Sequence, residues 1–595
     1  MDAWEQDIAV VPDGDGCWLI RLGDGIDPQL SRRVHVLAGS LARLCSAWLI
    51  ETVPGYCTLG LVTSSAVSQD VVETTVREAL AGCASDERVG RTVTVPVCYG
   101  GEHGPDLDDV AAHAGMSAEE VVRRHSSRDY QCAMVGFLPG FPYLTGMDPR
   151  LATPRRSTPR ISVPGGSVGV AGPQTGIYPV ASPGGWNIIG RTPLTLFEPS
   201  APSPAFIQPG DTVRFVPVAP ADYDRLSTVS DRSVQPPEGD ISPGMLVLEP
   251  GLATTVQDSG RWGFQALGVP VSGAMDPPVM ELGNILVGND PHCAGLEITL
   301  TGPTLAMEGD TVIALVGTDM AFTINGAAAP MWTAVRVQPG DTVSVGGCMG
   351  AGCRAWLCVA GGIETPVVLG SRSTLLRAML GGMRGRVLRQ GDRLPVGNAP
   401  AAARLDGLSC PPDLVPLQDG PIPVLPGPQE SVLTDDARRA FFTTPWIVTD
   451  VSDRMGCRLD GTRLQLAHGA DIISQMTPPG AVQVADAGLP MVLLADRQTT
   501  GGYAQPFIVA TAALGRMAQL VPGDRVHFAP CTYREAQELL RRQAESRARL
   551  LAMQESWLGR QSGGSLRISV NGTPHIIRWQ KVSEEGHETD RRSQQ

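Results

Sequence analysis

The 595 residues are too many for one hydrophobic core, and 42% apolar side chains with a formal net charge of −14 describe an acidic globular chain of about two to four domains. That charge disfavours nucleic acid as a partner, and no apolar run reaches the length of a membrane span. Lys581 is the only lysine, which excludes from the body of the chain a P-loop, a Schiff-base amine and a biotinyl carrier hairpin.

The N-terminal MDAWEQDIAV has neither the basic nor the apolar region of a secretory signal, so a cytoplasmic protein is expected. Thirteen cysteines occur without a CxxC pair, and the five-residue spacing of Cys348, Cys353 and Cys358 suits no zinc template; reduced structural thiols are expected. Residues 1–95 alternate short apolar runs with helical stretches and read as an α/β segment, with a strand over Arg91 to Tyr99. Ser117 and Glu120 form a capping box for a helix through about His125, which places His113 and His125 on or beside a helical surface. His103 and His113 near Asp106, Asp108 and Asp109 match no standard ligand spacing, and no metal site is expected there.

From Tyr130 onward short β-branched runs lie between Gly/Pro turns, and residues 96–217 read as a barrel or sandwich. Residues 218–243 are polar, contain proline and lack periodicity, as a linker does. Beyond it the turn FIQPGDTVRF (Phe206 to Phe215) recurs as VRVQPGDTVSV (Val335 to Val345), LRQGDRLPV (Leu388 to Val396) and LVPGDRVHF (Leu520 to Phe528). The segment QTGIYP (Gln174 to Pro179) likewise echoes QTTGGY (Gln498 to Tyr503). Repeated turns imply a repeated β unit: one barrel in the first half and two in the second, over residues 244–400 and 401–530. The fold class is mainly β with α+β parts. A helix capped by Thr532 and Glu535 is expected over 531–560, then a hairpin around Asn571-Gly572 and a polar tail within 561–595.

Glycine and proline crowd around polar side chains in two blocks, which is how loops hold a small-molecule site. In the first block Arg155, Arg156 and Arg160 lie between prolines and are either forks for carboxylate or phosphate or surface arginines paired with barrel acids. Gln174, Thr175 and Tyr178 offer neutral groups to an amide, and Trp186 with Asn187 offers a stacking face and a polar contact, or else core. In the second half Gln257, Asp258, Arg261, Gln265, Ser272 and Asp276 form one polar set. Asp496, Arg497, Gln498, Thr499 and Tyr503 form another that is expected to face it, with Asp496 and Arg497 either a structural ion pair or a substrate clamp. Asp258, Asp276 and Asp496 are the candidate proton-moving or cation-holding carboxylates. No GxSxG nucleophile elbow occurs.

Long motifs in order carry a resemblance. GFLPGFPYL, TPRRSTPR, GSVGVAGPQTGIYP and SPGGWNIIGRTP resemble the allophanate hydrolase subunit 1 (KipI-like) family. TTVQDSGRWGFQALGVPVSGAMD, LEITLTGPTL, LCVAGGI, LGSRSTLLRA, SDRMGCRLDG and LLADRQTTGGY resemble the subunit 2 (KipA-like) family, also called the biotin-dependent carboxyltransferase family. The resemblance implies cyclophilin-like β-barrels in tandem and a fused B-plus-C component of a 5-oxoprolinase-type complex. It also implies ATP and Mg²⁺ as cofactors, a small lactam or amide substrate, and a separate A-type (LamB/YcsF-like) subunit. Homo-oligomers are compatible with it. Its alternatives are a carboxyltransferase of the urea carboxylase type, served by a separate biotin carrier, and a non-catalytic regulator of a sensor kinase. The segment SLRISVNGTPHIIRW resembles the opening hairpin of a biotinyl domain, but no attachment motif follows it, so no covalent biotin is expected. Relatives commonly carry Glu, Lys and Tyr where this chain has Gln475, Gln505 and Cys457, which implies a changed or retired second-half site.

Overall fold

The structure is a computed structural model; it describes residues 8–44, 47–64, 67–81, 90–230, 244–399, 401–416, 419–560, 563–570 and 573–580. Each repeated turn has one geometry. Gly210, Gly340, Gly391 and Gly523 adopt φ of +90°, +92°, +87° and +94°, which a glycine reaches without strain. The aspartate after each accepts the backbone N–H three residues earlier: Asp211 from Gln208 at 2.9 Å, Asp341 from Gln338 at 2.7 Å, Asp392 from Arg389 at 2.7 Å and Asp524 from Val521 at 2.8 Å. A strand begins within one residue of every one of these aspartates.

The N-terminal segment is a four-stranded antiparallel sheet in the order Ala9–Pro12, Cys17–Arg21, Thr58–Thr63, Leu49–Pro54. Helices α1 (Pro28–Leu44) and α2 (Gln69–Ala81) pack on it. Alternate residues Trp18, Ile20, Leu59 and Leu61 meet the helical stripe Val34, Leu37 and Leu41.

Thr92–Tyr99 opens a closed seven-stranded barrel, so the barrel starts before residue 96. That strand pairs in parallel with Thr212–Pro217, and the circle closes through Asp129–Val135, Pro142–Thr145, Gln174–Ile177, Ser167–Ala171 and Asn187–Arg191. Helices α3 (Leu107–Ala114) and α4 (Ala118–Ser126) pack against it. The Ser117 cap is present, its Oγ accepting from Glu120 N at 3.3 Å. His125, expected on a helical surface, is instead fully buried between Tyr99 Oη at 2.8 Å and Thr175 Oγ1 at 3.0 Å. Part of the expected linker is helical, as α5 (Pro220–Ser230); residues 231–243 lie outside the described residues.

The second half begins with two facing sheets, six-stranded and five-stranded, rather than a closed barrel, and Met245, Val247, Leu296, Ile298 and Leu305 fill the space between them. Helix α6 (Pro277–Leu286) lies outside this sandwich. The third unit, which includes α7 (Asp435–Thr443) and α8 (Leu514–Ala518), is a nine-stranded sheet. Its path ends at Arg525–Val526 and Phe528–Pro530, which are adjacent in sequence, so the sheet curls into a nearly closed barrel. Helix α9 (Tyr533–Arg560) starts in the expected box, with Glu535 N donating to Thr532 Oγ1 at 3.3 Å and Thr532 N to Glu535 Oε2 at 2.8 Å. Strands Gly563–Val570 and Thr573–Gln580 pair as a hairpin, its Asn571-Gly572 turn lying outside the described residues. Among the described residues no helix is long and apolar enough to cross a membrane.

The two halves are locked together. Asp15 accepts from Thr511 N at 3.0 Å and Thr511 Oγ1 at 2.5 Å, Arg21 Nη2 donates to Pro428 O at 2.8 Å, and Gly140 N donates to Leu267 O at 2.9 Å. Gly268, at φ +74°, lets the second half approach so closely that a Cβ there would lie 2.5 Å from Leu138 O.

Candidate functional site

The junction of the halves is polar and buried. Strand Leu49–Pro54 shifts register between Leu49 and Glu51, so that Leu49 packs on the helix side while Val53 and, with it, Glu51 face the second half. Its carboxylate accepts from Gln265 N at 2.9 Å and Gln265 Nε2 at 2.8 Å. Burial pushes the Glu51 carboxyl up; the bonds from Gln265 and Gly263 and the charge of Arg497 oppose that rise. Gln265 Oε1 in turn accepts from Arg497 Nη2 at 2.9 Å, and Arg497 Nε donates to Thr477 O at 2.8 Å. One bonded chain thus runs from the N-terminal sheet through the sandwich to the third unit.

A second network fixes the neighbouring loops. Asp258 accepts from Ser371 Oγ and Arg372 N, both at 2.6 Å, from Gly260 N at 2.9 Å, and from Ser373 Oγ. Asp496 is held by Arg454, whose Nε and Nη2 lie at 3.0 and 3.1 Å; Arg454 also bonds Glu297 and Gly273 O. The two second-half sets therefore meet, through Gln265 with Arg497 and through Ser272 N donating to Ala495 O at 3.1 Å. Asp496 pairs with Arg454, not with Arg497. Gln257 Nε2 and Ser272 Oγ donate to Thr374 O, at 3.1 and 3.0 Å, and Gln257 Oε1 is buried without a partner. Thr499 is buried with its hydroxyl unpartnered, Gln498 is half-buried, and Tyr503 is exposed.

Two guanidinium groups stand out because neither is ion-paired to a carboxylate among the described residues. Arg261 is 0% exposed; it donates from Nη2 to Ser373 O and leaves Nε and Nη1 without acceptors. Arg497 is 3% exposed and bonds only neutral oxygens. Burial lowers both, Arg497 to about 10. Uncompensated buried cations are costly unless an anion completes the site.

Asp276 caps α6, its Oδ1 accepting from Val279 N at 3.4 Å, while Oδ2 is buried and unpartnered. Burial pushes this carboxyl up to about 7, opposed by the bond from Val279 and assisted by Glu297 and Glu281. The backbone of Gly515 presses against it: a Cβ there would lie 2.2 Å from Oδ2.

The first-half candidates divide sharply. Arg156 and Arg160 are not free forks, because both bind the buried Asp106, at 2.9 Å and at 2.8 and 2.7 Å, and that carboxylate also accepts from Ile188 N at 2.7 Å. Arg155 is exposed, and its charge opposes the rise that burial imposes on the Tyr56, Tyr143 and Tyr178 phenols. Tyr178 and Trp186 belong to an aromatic cluster around Phe141, with edge-on contacts at 5.1 and 5.5 Å, and are core. Thr175 serves His125 and Gly169 O, Asn187 Nδ2 ties Pro154 O at 2.8 Å, and Gln174 is half-buried on its strand. Tyr56, fully buried with an unpartnered hydroxyl, packs with Tyr143 and with Ile473 of the second half.

Two of the three positions where this chain departs from the pattern of the resembled family, Gln475 and Gln505, converge, while Cys457 lies beside Ser452 instead. Gln475 and Gln505 both bond Gln429: Gln429 Nε2 donates to Gln475 Oε1 at 3.2 Å, and Gln505 N donates to Gln429 Oε1 at 3.1 Å. All three amides are buried, so the cluster carries no charge. Sequence reasoning passed over Glu51, Tyr56, Glu297 and Arg454, and weighed Asp106 only as a metal ligand. Glu51 alone left a signal, an acid within a short, mostly apolar strand.

Comparison with known proteins follows the same division. The family "Carboxyltransferase domain, subdomain C and D" matches residues 8–207, and "Carboxyltransferase domain, subdomain A and B" matches residues 267–530. The C subunit of 5-oxoprolinase from Escherichia coli (strain K12) is 37% identical over 292 residues, 49% of this chain and 92% of that protein. The B subunit of 5-oxoprolinase from Bacillus subtilis (strain 168) is 42% identical over 222 residues, 35% of this chain and 92% of that protein. The crystal structure of TTHA0988 superposes with a TM-score of 0.74 at 34% identity, covering 86% of this chain and 99% of the other. The chain belongs to the carboxyltransferase-domain family, and it joins in one polypeptide regions similar to the B and C subunits of 5-oxoprolinase.

Proposed function

We propose that this protein is the fused B-plus-C component of a cytoplasmic, ATP-dependent 5-oxoprolinase-type complex that opens a small cyclic amide with the help of a separate A-type subunit. The observation that carries the reading is two buried, un-ion-paired guanidinium groups, Arg497 at the junction of the two halves and Arg261 within the second half. The product of lactam opening and its substrate both present a carboxylate, the anion such groups hold best. The relatives from Escherichia coli and Bacillus subtilis act, by name, in 5-oxoprolinase.

The chain's own residues then have distinct parts. Arg497 and Arg261 bind and orient the carboxylate, and Gln265, held from Glu51, fixes Arg497. The unpartnered Thr499 hydroxyl offers a contact to the amide. Asp276 Oδ2, raised to about 7, can take or return a proton near neutral pH. ATP would activate the lactam carbonyl by phosphorylating its oxygen. The groups expected to serve it are already engaged: Asp258 accepts four donors, Asp496 is paired on both oxygens with Arg454, and Arg156 and Arg160 are paired with Asp106. No step of this chain is therefore routed through nucleotide or metal.

ATP hydrolysis by the purified chain, with and without an A-type subunit and with 5-oxoproline or urea, tests the reading. Turnover that needs both the A-type subunit and 5-oxoproline and that avidin does not inhibit is expected. Biotin-dependent transfer to urea, or no turnover with any combination, overturns it.

A further inference from the structure

Helix α9 lies beyond the segment matched by the carboxyltransferase family, which ends at residue 530. It is nevertheless fixed to the body along much of its length. Gln543 Nε2 donates to Ala512 O at 2.9 Å, Arg547 pairs with Glu281 at 2.6 Å and Arg549 with Asp413 at 2.9 Å, Leu550 is fully buried, and Trp557 Nε1 donates to Arg404 O at 3.0 Å. Around the Gln543 and Arg547 contacts, residues 539–547 of the helix line a cleft of about 820 Å³.

The floor of the cleft is the candidate site itself, through Ser272, Ala495 and Arg497. The walls are mainly apolar, with Pro277 and Leu282 of α6 on one side and Leu540 and Ala544 of α9 on another. Its acids are largely neutralised where they stand: Glu281 by Arg547, Asp413 by Arg549, with Asp419 close to Arg516. Arg497 at the inner end is buried, bonded only to neutral oxygens and without a paired carboxylate among the described residues, Glu51 acting on it only at a distance. A cleft of this volume suits ligands well beyond a five-membered lactam, since organic ligand sites run from ~300 to ~1,000 Å³.

We propose that this cleft takes an amide-bearing organic carboxylate with an apolar substituent, its carboxylate on Arg497 and its apolar body along α9, so that α9 sets the size of substrate accepted. This names the substrate class of the hydrolytic reading above and rests on it. The apolar body desolvates Leu540 and Leu282, and the guanidinium supplies the charge-assisted bonds that fix the other end. Arg497 here is a binding residue, and α9 is a specificity wall that does not touch the reacting atoms.

Isothermal titration of the full chain with N-acetyl-, N-butanoyl- and N-hexanoylglycine tests this without ATP or a partner. Affinity is expected to rise about two- to fourfold for each added methylene. Arg497→Gln is expected to weaken all three by about tenfold or more. Ala544→Trp, at an exposed position on the cleft side of α9, is expected to abolish the dependence on acyl length, and Leu540→Asn should flatten it as well. Length-independent affinity, length dependence that survives both α9 variants, or no binding of any probe overturns the proposal. Turnover of 5-oxoproline that persists alongside such a result overturns the cleft alone, whereas length-dependent binding without any turnover overturns the hydrolytic reading alone.

Discussion

Glu51 and Gln265 lie 214 positions apart and are joined by two hydrogen bonds, at 2.9 and 2.8 Å, through which the N-terminal sheet holds a loop of the second half. Through Gln265, whose Oε1 accepts from Arg497 Nη2, the same strand is tied to Arg497.

Glu51→Ala removes the acceptor for two buried donors and leaves a cavity. The expected loss is about 2–4 kcal/mol of stability. Because the bond spans the halves, chemical denaturation should split from one transition toward two, the N-terminal half opening first. A single transition at the unchanged midpoint would show that Glu51 does not tie the halves together.

Asp106→Asn is expected to cost about 2–4 kcal/mol, since it strips a buried carboxylate from Arg156, Arg160 and Ile188 N; the figure is held down because both arginines are partly exposed. Arg155→Ala should change stability by less than about 0.5 kcal/mol yet lower partner-dependent turnover, because Arg155 is exposed and makes no comparable pair. Melting temperatures and ATPase rates of the two variants measured side by side separate the structural arginines from the one open to a ligand.

Much of this architecture is legible from local chemistry. A Pro-Gly-Asp turn encodes its own hydrogen bond, so four copies reveal four equivalent strand starts, at Asp211, Asp341, Asp392 and Asp524. The caps at Ser117 and Thr532 are legible for the same reason. What escapes is pairing at long range. TPRRSTPR shows three arginines set among prolines, but nothing local reveals that Asp106, about 50 positions upstream, takes Arg156 and Arg160 and leaves Arg155. Asp496 and Arg497 are adjacent and so suggest an ion pair, yet a chain direction that alternates side chains sends one to Arg454 and the other to Gln265. Closure of the sheets is equally non-local: the same turn appears in a closed barrel, a two-sheet sandwich and a nearly closed barrel.

Asp276→Asn tests the raised carboxyl. Its folded-state pKa, about 7, lies above the ordinary 3.8, so the folded protein holds the proton more tightly than the unfolded chain does. That contribution to stability is fully present below about pH 3.8 and is lost as pH rises toward 7. The wild type should therefore lose stability over this window relative to Asp276→Asn, whose melting temperature should fall less across it. Above pH 7 the variant should be the more stable by about 1–3 kcal/mol. Parallel pH profiles for both proteins would refute a buried, unpartnered Asp276.

Arg497→Gln and Arg261→Met separate binding from folding. An unpaired buried cation is a burden on the fold, so exchanging it for a neutral side chain of similar length should leave stability within about 1 kcal/mol or increase it. The same exchange removes the charge-assisted bonds to an anionic ligand and should weaken carboxylate binding by about tenfold to a hundredfold, with a matching loss of turnover. Arg497→Lys should recover little, because an ammonium cannot span both Thr477 O and Gln265 Oε1 in the fork geometry that the guanidinium uses. Thermal melts combined with carboxylate titrations distinguish the outcomes. Variants that unfold but bind normally when folded would make these arginines structural, whereas variants that stay folded and lose binding place the anion site at the junction of the two halves.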